Sequence, residues 1–152
     1  MHEVACEYEN IEITVVPGIT AACSAAAVLG APLIHDFAVI SLSDLLTPWE
    51  KIEKRLLLAS EADFVICLYN PQSKKRSGYL KKACDIMLKH KSPAASCGFV
   101  KNIGREGEKA VLCRLDELGN QDVDMFTTVI IGNSQTKFIG NKLVTPRGYK
   151  GI

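Results

Sequence analysis

The stretch VVPGITAACSAAAVLG, residues 15–30, decides how this chain is read. A β-branched pair runs into Pro17-Gly18, and a helix of very small residues follows. That pattern marks a strand-to-helix turn in an α/β fold. Gly18 permits a tight exit from the strand. Thr20 can cap the helix with its hydroxyl or turn that hydroxyl to a ligand. Ala21, Ala22, Ala25, Ala26 and Ala27 suit two readings equally. They leave room for a ligand at the helix start, and they also allow close packing of a helix on a sheet.

Working outward, IEITVV (11–16) reads as a short strand, 20–29 as the helix and DFAVISL (36–42) as a second strand. Thr47-Pro48-Trp49-Glu50 predicts a helix start, with Thr47 as N-cap, Pro48 in the first position and Glu50 completing a capping box. Trp49, Ile52, Leu56 and Ala59 then recur at helical spacing as one buried stripe. DFVICLY (63–69) is an unbroken apolar strand of the kind covered on both faces. A helix over 77–90 turns Leu80, Ala83, Ile86 and Met87 inward. ASCGFV (95–100), KAVLCRL (109–115) and FTTVIIG (126–132) read as strands, and Pro146 and Gly148 mark a frayed tail. The alternation predicts an α/β fold with a mixed, mainly parallel sheet flanked by helices. Crossovers should be right-handed, and the short connection between 100 and 109 permits an antiparallel hairpin.

The totals bound the function. A chain of 152 residues, 47% hydrophobic and 23% charged, suits a globular domain. A net charge of +1 supplies no basic field for nucleic acid or an anionic membrane. Residues 13–34 carry no charge, but Pro17-Gly18 and Pro32 interrupt them, which favours a packed strand-turn-helix over a membrane span. Cysteines 6, 23, 67, 84, 97 and 113 form no C-x-x-C pair and read as buried reduced thiols of a cytoplasmic protein. His2, His35 and His90 do not join them at zinc spacing, so no metal is expected. The sequence holds no Gly-rich phosphate loop, no G-x-S-x-G elbow and no Cys/His pairing, so no catalytic residue is assigned. GREGE (104–108) reads as a hairpin turn.

Ligands of open α/β sheets bind beyond the carboxyl ends of strands. Those ends are predicted at 17–20, 41–44, 69–71, 101–104 and 132–134, all rich in small and polar residues. Each alone is ordinary turn chemistry, whereas five at one rim would make a pocket. SKKRSGYLKK (73–82) is the basic cluster, either a solvated helix face or a receiver of substrate carboxylates.

Taken together, VVPGITAA, GAPLIHDFAVISLSDLLTPWEKIEKRL, ADFVICLYNPQSKKR, VDMFTTVIIGNSQT and VTPRGY span almost the whole chain. They resemble the precorrin-3B (cobalt-precorrin-3) C17-methyltransferase family, within the tetrapyrrole methylase superfamily. The resemblance implies two α/β domains with S-adenosylmethionine between them. It implies methyl transfer to C17 of a precorrin-3B type tetrapyrrole, with ring contraction, in cobalamin biosynthesis. On this pattern residues 1–17 are the last helix and strand of an N-terminal domain, and 18–152 are the C-terminal domain. The opening MHEVACEY, a helix entered without a cap, fits a start inside a longer protein. The resemblance further implies that Thr20, Ala21, Tyr69, Asn70, Ile103 and Thr127 meet S-adenosylmethionine. Ser41, Ser43 and Asp44 fall on the tetrapyrrole side, and Lys74, Lys75 and Arg76 meet its carboxylates. The full-length form is expected to be a homodimer. Two readings compete. One is a truncated, inactive piece serving dimerisation or scaffolding. The other is a superfamily relative acting on RNA or protein, against which the charge and the motifs argue.

Overall fold

A computed structural model of the chain describes residues 1–8, 10–73 and 77–149. In chain order its elements are α1 (His2–Ala5), α2 (Ala21–Leu29), β1 (Gly30–Ala31), β2 (Phe37–Ser41), α3 (Trp49–Glu61), β3 (Val65–Tyr69), α4 (Tyr79–Met87), β4 (Ser96–Lys101), β5 (Lys109–Arg114), α5 (Leu115–Leu118), β6 (Thr127–Ile131), β7 (Lys137–Ile139) and β8 (Lys142–Val144). A five-stranded sheet has the order β2-β3-β6-β4-β5, and a smaller sheet the order β1-β8-β7.

The mixed α/β architecture agrees with the alternation in the sequence. The balance of strand directions does not. β2 and β3 pair in parallel, but β3–β6, β6–β4 and β4–β5 are antiparallel. β2, β3 and β4 do run the same way, as strand-helix-strand units require. β6 then returns between β3 and β4 and replaces their direct pairing with two antiparallel ladders. Its sequence explains the position. All five residues of TTVII are buried, and a strand covered on both faces belongs at a sheet centre. The hairpin between β4 and β5 forms as its short loop allows, in register from Ser96↔Arg114 to Lys101↔Lys109.

Each face of the large sheet has its own core. On one side α3, α4 and α5 bury Ile52, Leu56, Leu80, Met87 and Leu118 against Ile66, Leu68, Phe99, Val129 and Ile131. On the other, α2 lays Ala22, Ala25, Ala26 and Leu29 on Val65, Cys67, Val100 and Ile130. The alternate residues of β3 and β6 thus serve opposite cores, as period-two geometry demands. The buried alanines of α2 are therefore packing residues. Gly98 completes the fit, because a Cβ there would lie 3.0 Å from Leu29 Cδ2 and 3.1 Å from Leu112 Cδ2.

Several local expectations are corrected. Residues 11–16 form no strand, and Val15, Val16 and Ile19 are 74%, 83% and 84% exposed. β-branched residues supply propensity, but a strand needs a partner edge, and none of the described residues provides one. Helix α3 starts at Trp49 with Pro48 as N-cap and no side-chain cap bond. The capping box from Thr47 and Glu50 is absent because Pro48 is still extended, with ψ 142°. Helix α4 is shorter than 77–90, since Gly78 enters it in the left-handed region with φ 79°. β1, β7, β8 and α5 were not anticipated. No helix among the described residues is long and apolar enough to cross a membrane.

Candidate functional site

β2, β3 and β4 end at one rim of the large sheet, where β6 begins. The registers Ser41↔Tyr69 and Lys101↔Thr127 fix this. Four of the five predicted strand-end loops gather there. The fifth, 132–134, lies at the opposite end, because β6 runs the other way. Its residues lock that end instead. Ser134 donates its N–H and its hydroxyl to the Asp63 carboxylate, with the N–H contact at 2.9 Å. The buried Lys91 ammonium donates to Phe64 O and Gly132 O and lies 3.5 Å from Asp63. Burial lowers the Lys91 pKa, partly offset by Asp63.

At the shared rim Tyr69 organises the corner past Pro17-Gly18. Its Oη accepts the Ala22 N–H at 2.8 Å and shares a short hydrogen bond with the Thr20 hydroxyl. Thr20 occupies the N-cap position of α2 but makes no side-chain cap bond. The phenol from β3 satisfies the helix end in its place, which ties α2 to the sheet. Asn70 follows with φ 51° and Asn102 ends β4 with φ 52°, so two asparagines in left-handed backbone flank the same rim. Asparagine is the side-chain-bearing residue that tolerates this best. Asn70 Nδ2 donates to Ser41 Oγ at 3.1 Å, and Ser41 Oγ also accepts the Ser43 N–H. Asp44 accepts from the Tyr79 hydroxyl at 2.6 Å. Tyr79 in turn packs on Trp49 with ring centroids 4.8 Å apart.

A cleft of about 200 Å³ opens between these groups, lined by Ala21, Tyr69, Asn70, Met125, Phe126, Thr127 and Thr128. Four residues singled out from the sequence line it: Ala21, Tyr69, Asn70 and Thr127. Thr20 borders it through Tyr69. Ile103 packs against the α2 core beside it rather than lining it. Ser41, Ser43 and Asp44 form the neighbouring stretch of rim. Lys74, Lys75 and Arg76 lie outside the described residues.

Thr127 and Thr128 differ in kind. The Thr127 hydroxyl donates to Asp124 Oδ1 at 2.9 Å and accepts the Asp124 N–H at 3.1 Å. Burial would raise the Asp124 pKa, but bonds from Thr127 and the Phe126 N–H, with Lys101 nearby, hold it below the usual carboxylate range. Lys101 bridges to Asp122 at 3.0 Å and Asp124 at 3.5 Å, which raises its own pKa. Thr127 is thus committed to shaping the 124–127 turn. Thr128 points to the α2 face, is 5% exposed, and its hydroxyl has no partner among the described residues. A buried unpaired hydroxyl is costly unless a ligand completes it. Sequence reasoning missed Thr128. The alternation of β6 was the available signal, since Thr128 shares parity with the α2-facing Ile130.

Comparison with known proteins decides the family. The model for tetrapyrrole (corrin/porphyrin) methylases matches residues 1–119. The chain belongs to the tetrapyrrole methylases. A probable cobalt-factor III C(17)-methyltransferase of Salmonella typhimurium is 49% identical over 140 residues, covering 92% of this chain and 58% of that protein. A precorrin-3B C(17)-methyltransferase of a Sinorhizobium species is 41% identical over 150 residues, covering 95% and 59%. The crystal structure of the methyltransferase CobJ superposes with a TM-score of 0.87 at 37% identity, over 95% of this chain and 60% of that one. This tetrapyrrole methylase chain therefore spans about three fifths of the length of these relatives. The uroporphyrin-III C-methyl transferase of Thermus thermophilus, solved with S-adenyl homocysteine, has a TM-score of 0.60 at 18% identity, which shows a shared fold.

Proposed function

We propose that the intact gene product transfers a methyl group from S-adenosylmethionine to C17 of a precorrin-3B or cobalt-factor III type tetrapyrrole, with ring contraction, in cobalamin biosynthesis. In this reading the present chain supplies one wall of the donor site. The observation that carries it is the buried Thr128 hydroxyl, without a partner among the described residues, in a rim cleft of a chain whose relatives bear those names. Ligand pockets run from about 300 Å³ upward. The cleft, at about 200 Å³, suits part of a cosubstrate rather than all of it.

The donor-set chemistry fits. Thr128 offers one hydrogen bond to a polar edge of the adenosyl group. Met125 and Phe126, each 55% exposed, offer apolar surface for its ring. The start of α2 carries the positive end of the helix dipole toward the cleft. Tyr69 keeps that helix end fixed, and Asn70 with Ser41 holds the adjoining loop. When bound, S-adenosylmethionine supplies an electrophilic methyl, and an electron-rich ring carbon needs alignment with it more than it needs a protein nucleophile. Such alignment is worth about 7–11 kcal/mol of barrier. Ser41, Ser43 and Asp44 would face the tetrapyrrole. The exposed Val15, Val16 and Ile19 fit burial against further protein, in a homodimer of the intact product. Four of the six cysteines are buried as expected, whereas Cys6 and Cys23 are exposed, and the free thiols support a cytoplasmic setting.

Incubation of the intact gene product with methyl-labelled S-adenosylmethionine and either tetrapyrrole tests the reading. We expect label at C17. Label at another ring carbon, or no transfer while the donor binds, would overturn it.

A further inference from the structure

Arg105 sits in the hairpin between β4 and β5. Its guanidinium carbon lies 5.6 Å from the centre of the Phe126 ring. Phe126 itself lines the cleft. The hairpin is well tied. Arg105 N–H donates to Asn102 O at 2.9 Å, Asn102 N–H to Phe126 O at 3.2 Å, and Gly104 N–H to the Glu108 carboxylate at 2.7 Å. Asn102, Gly104 and Gly107 all take positive φ, which closes the loop tightly. Arg105 is therefore presented from a constrained hairpin, with its cation resting over an aromatic ring.

Three acids of this region are already engaged. Asp122 and Asp124 face Lys101, and Glu108 accepts the Gly104 N–H. No carboxylate pairs with Arg105 among the described residues. A guanidinium held over a ring keeps its fork of N–H donors for another acceptor, and a carboxylate matches that fork with two parallel bonds.

We propose that Arg105, positioned by Phe126, docks a carboxylate of the ligand in the rim cleft. This rests on the methyltransferase reading above, in which two ligands carry that group. S-adenosylmethionine has one carboxylate, and the tetrapyrrole has several around its periphery. The shared chemistry is a carboxylate meeting a stacked guanidinium at the mouth of the cleft.

The test uses the intact gene product as wild type, Arg105→Gln, Arg105→Lys and Phe126→Leu. Two probes are titrated separately: S-adenosylhomocysteine by calorimetry, and coproporphyrin III, a tetracarboxylate tetrapyrrole, by its absorbance. Arg105→Gln should weaken one probe at least tenfold and leave the melting temperature unchanged, as befits an exposed hairpin side chain. Arg105→Lys should recover only part of the loss, because an ammonium lacks the fork. Phe126→Leu should weaken the same probe less than Arg105→Gln does. A loss confined to the porphyrin assigns the carboxylate to the tetrapyrrole, and a loss confined to S-adenosylhomocysteine assigns it to the donor. Unchanged affinity for both probes in Arg105→Gln overturns the proposal while leaving the methyltransferase reading intact. A wild-type protein that binds neither probe overturns that reading itself, and the proposal with it.

Discussion

Two adjacent threonines differ, one residue step along a strand, in what their hydroxyls do. Thr127 spends its hydroxyl on Asp124, closing the turn that enters β6. Thr128, its neighbour on the opposite face, has a buried hydroxyl without a partner among the described residues, in the cleft that Tyr69 and Ala21 also line. Valine replaces threonine with nearly the same shape and no polar atom, so the two valine variants should part ways. Thr127→Val leaves Asp124 N–H and its carboxylate short of a partner and should cost about 1–3 kcal/mol of stability. Thr128→Val removes an unpaired buried group and should leave stability unchanged or slightly raised. In the intact gene product it should instead weaken S-adenosylhomocysteine binding about tenfold, the worth of one hydrogen bond near 1.4 kcal/mol. Thermal melts of both variants and a calorimetric titration of the second check this. Equal destabilisation by the two would remove the distinction on which the proposed donor contact rests.

At the scale of elements, the alanine helix and the sheet beneath it form one device. Ala22, Ala25 and Ala26 bring α2 close to β3, β4 and β6, and Gly98 removes the Cβ that would strike Leu29 and Leu112. Gly98→Ala inserts that Cβ at 3.0–3.2 Å from three methyl carbons. We expect a loss of about 1–3 kcal/mol from overpacking. The added Cβ meets Leu29, the last residue of α2, at the end away from the start that Tyr69 anchors, so donor affinity in the intact product should hold. A denaturant melt of the variant checks the first effect, and wild-type stability there would mean that α2 does not pack as tightly as described. This device was half visible in the sequence. The small residues of α2 announced either packing or a ligand site, and only the placement of Gly98 on β4 decides for packing. The strands VICLY and TTVII were legible because unbroken apolar runs mean two covered faces. Their mutual direction was not, since β6 pairs with strands some 30 and 60 residues back, and no local pattern records that choice. IEITVV misled for the converse reason. It has the residues of a strand but no neighbour among those described. The short β7 and β8, three residues each, fall below the length at which alternation can be read.

The whole molecule carries one consequence of its buried thiols and one of its incomplete cleft. Burial raises Cys67, Cys84 and Cys113 from 9.0 to about 12, and Cys97 moves the same way. Between those values the unfolded chain has released protons that the native chain still holds, so stability falls as pH rises. Each fully protected thiol adds a slope of up to about 1.4 kcal/mol per pH unit. Lys91, lowered from 10.5, acts in the opposite sense, but it is one group against four thiols. Melts at about pH 8 and about pH 10.5 should therefore show a marked loss at the higher value. The loss should be shallower in Cys84→Ala, whatever that variant's stability at neutral pH. A melting temperature unchanged across that interval would refute protected thiols. The cleft leads to the last expectation. Thr128, Tyr69 and Phe126 line a cleft whose volume, about 200 Å³, is below that of a complete pocket, and in the proposed function it is one wall of the donor site. Affinity in such a site comes from enclosure, because each wall adds contacts and excludes water from those already made. The relatives that carry whole methyltransferase names are longer than this chain, which covers 58–60% of them. The isolated chain should therefore fold with a cooperative melt yet bind S-adenosylmethionine no better than about 1 mM, a free energy near −4 kcal/mol. Calorimetry on the 152-residue chain measures this directly. A micromolar dissociation constant would mean that the rim described here encloses the donor by itself, and the view of it as a single wall would fall.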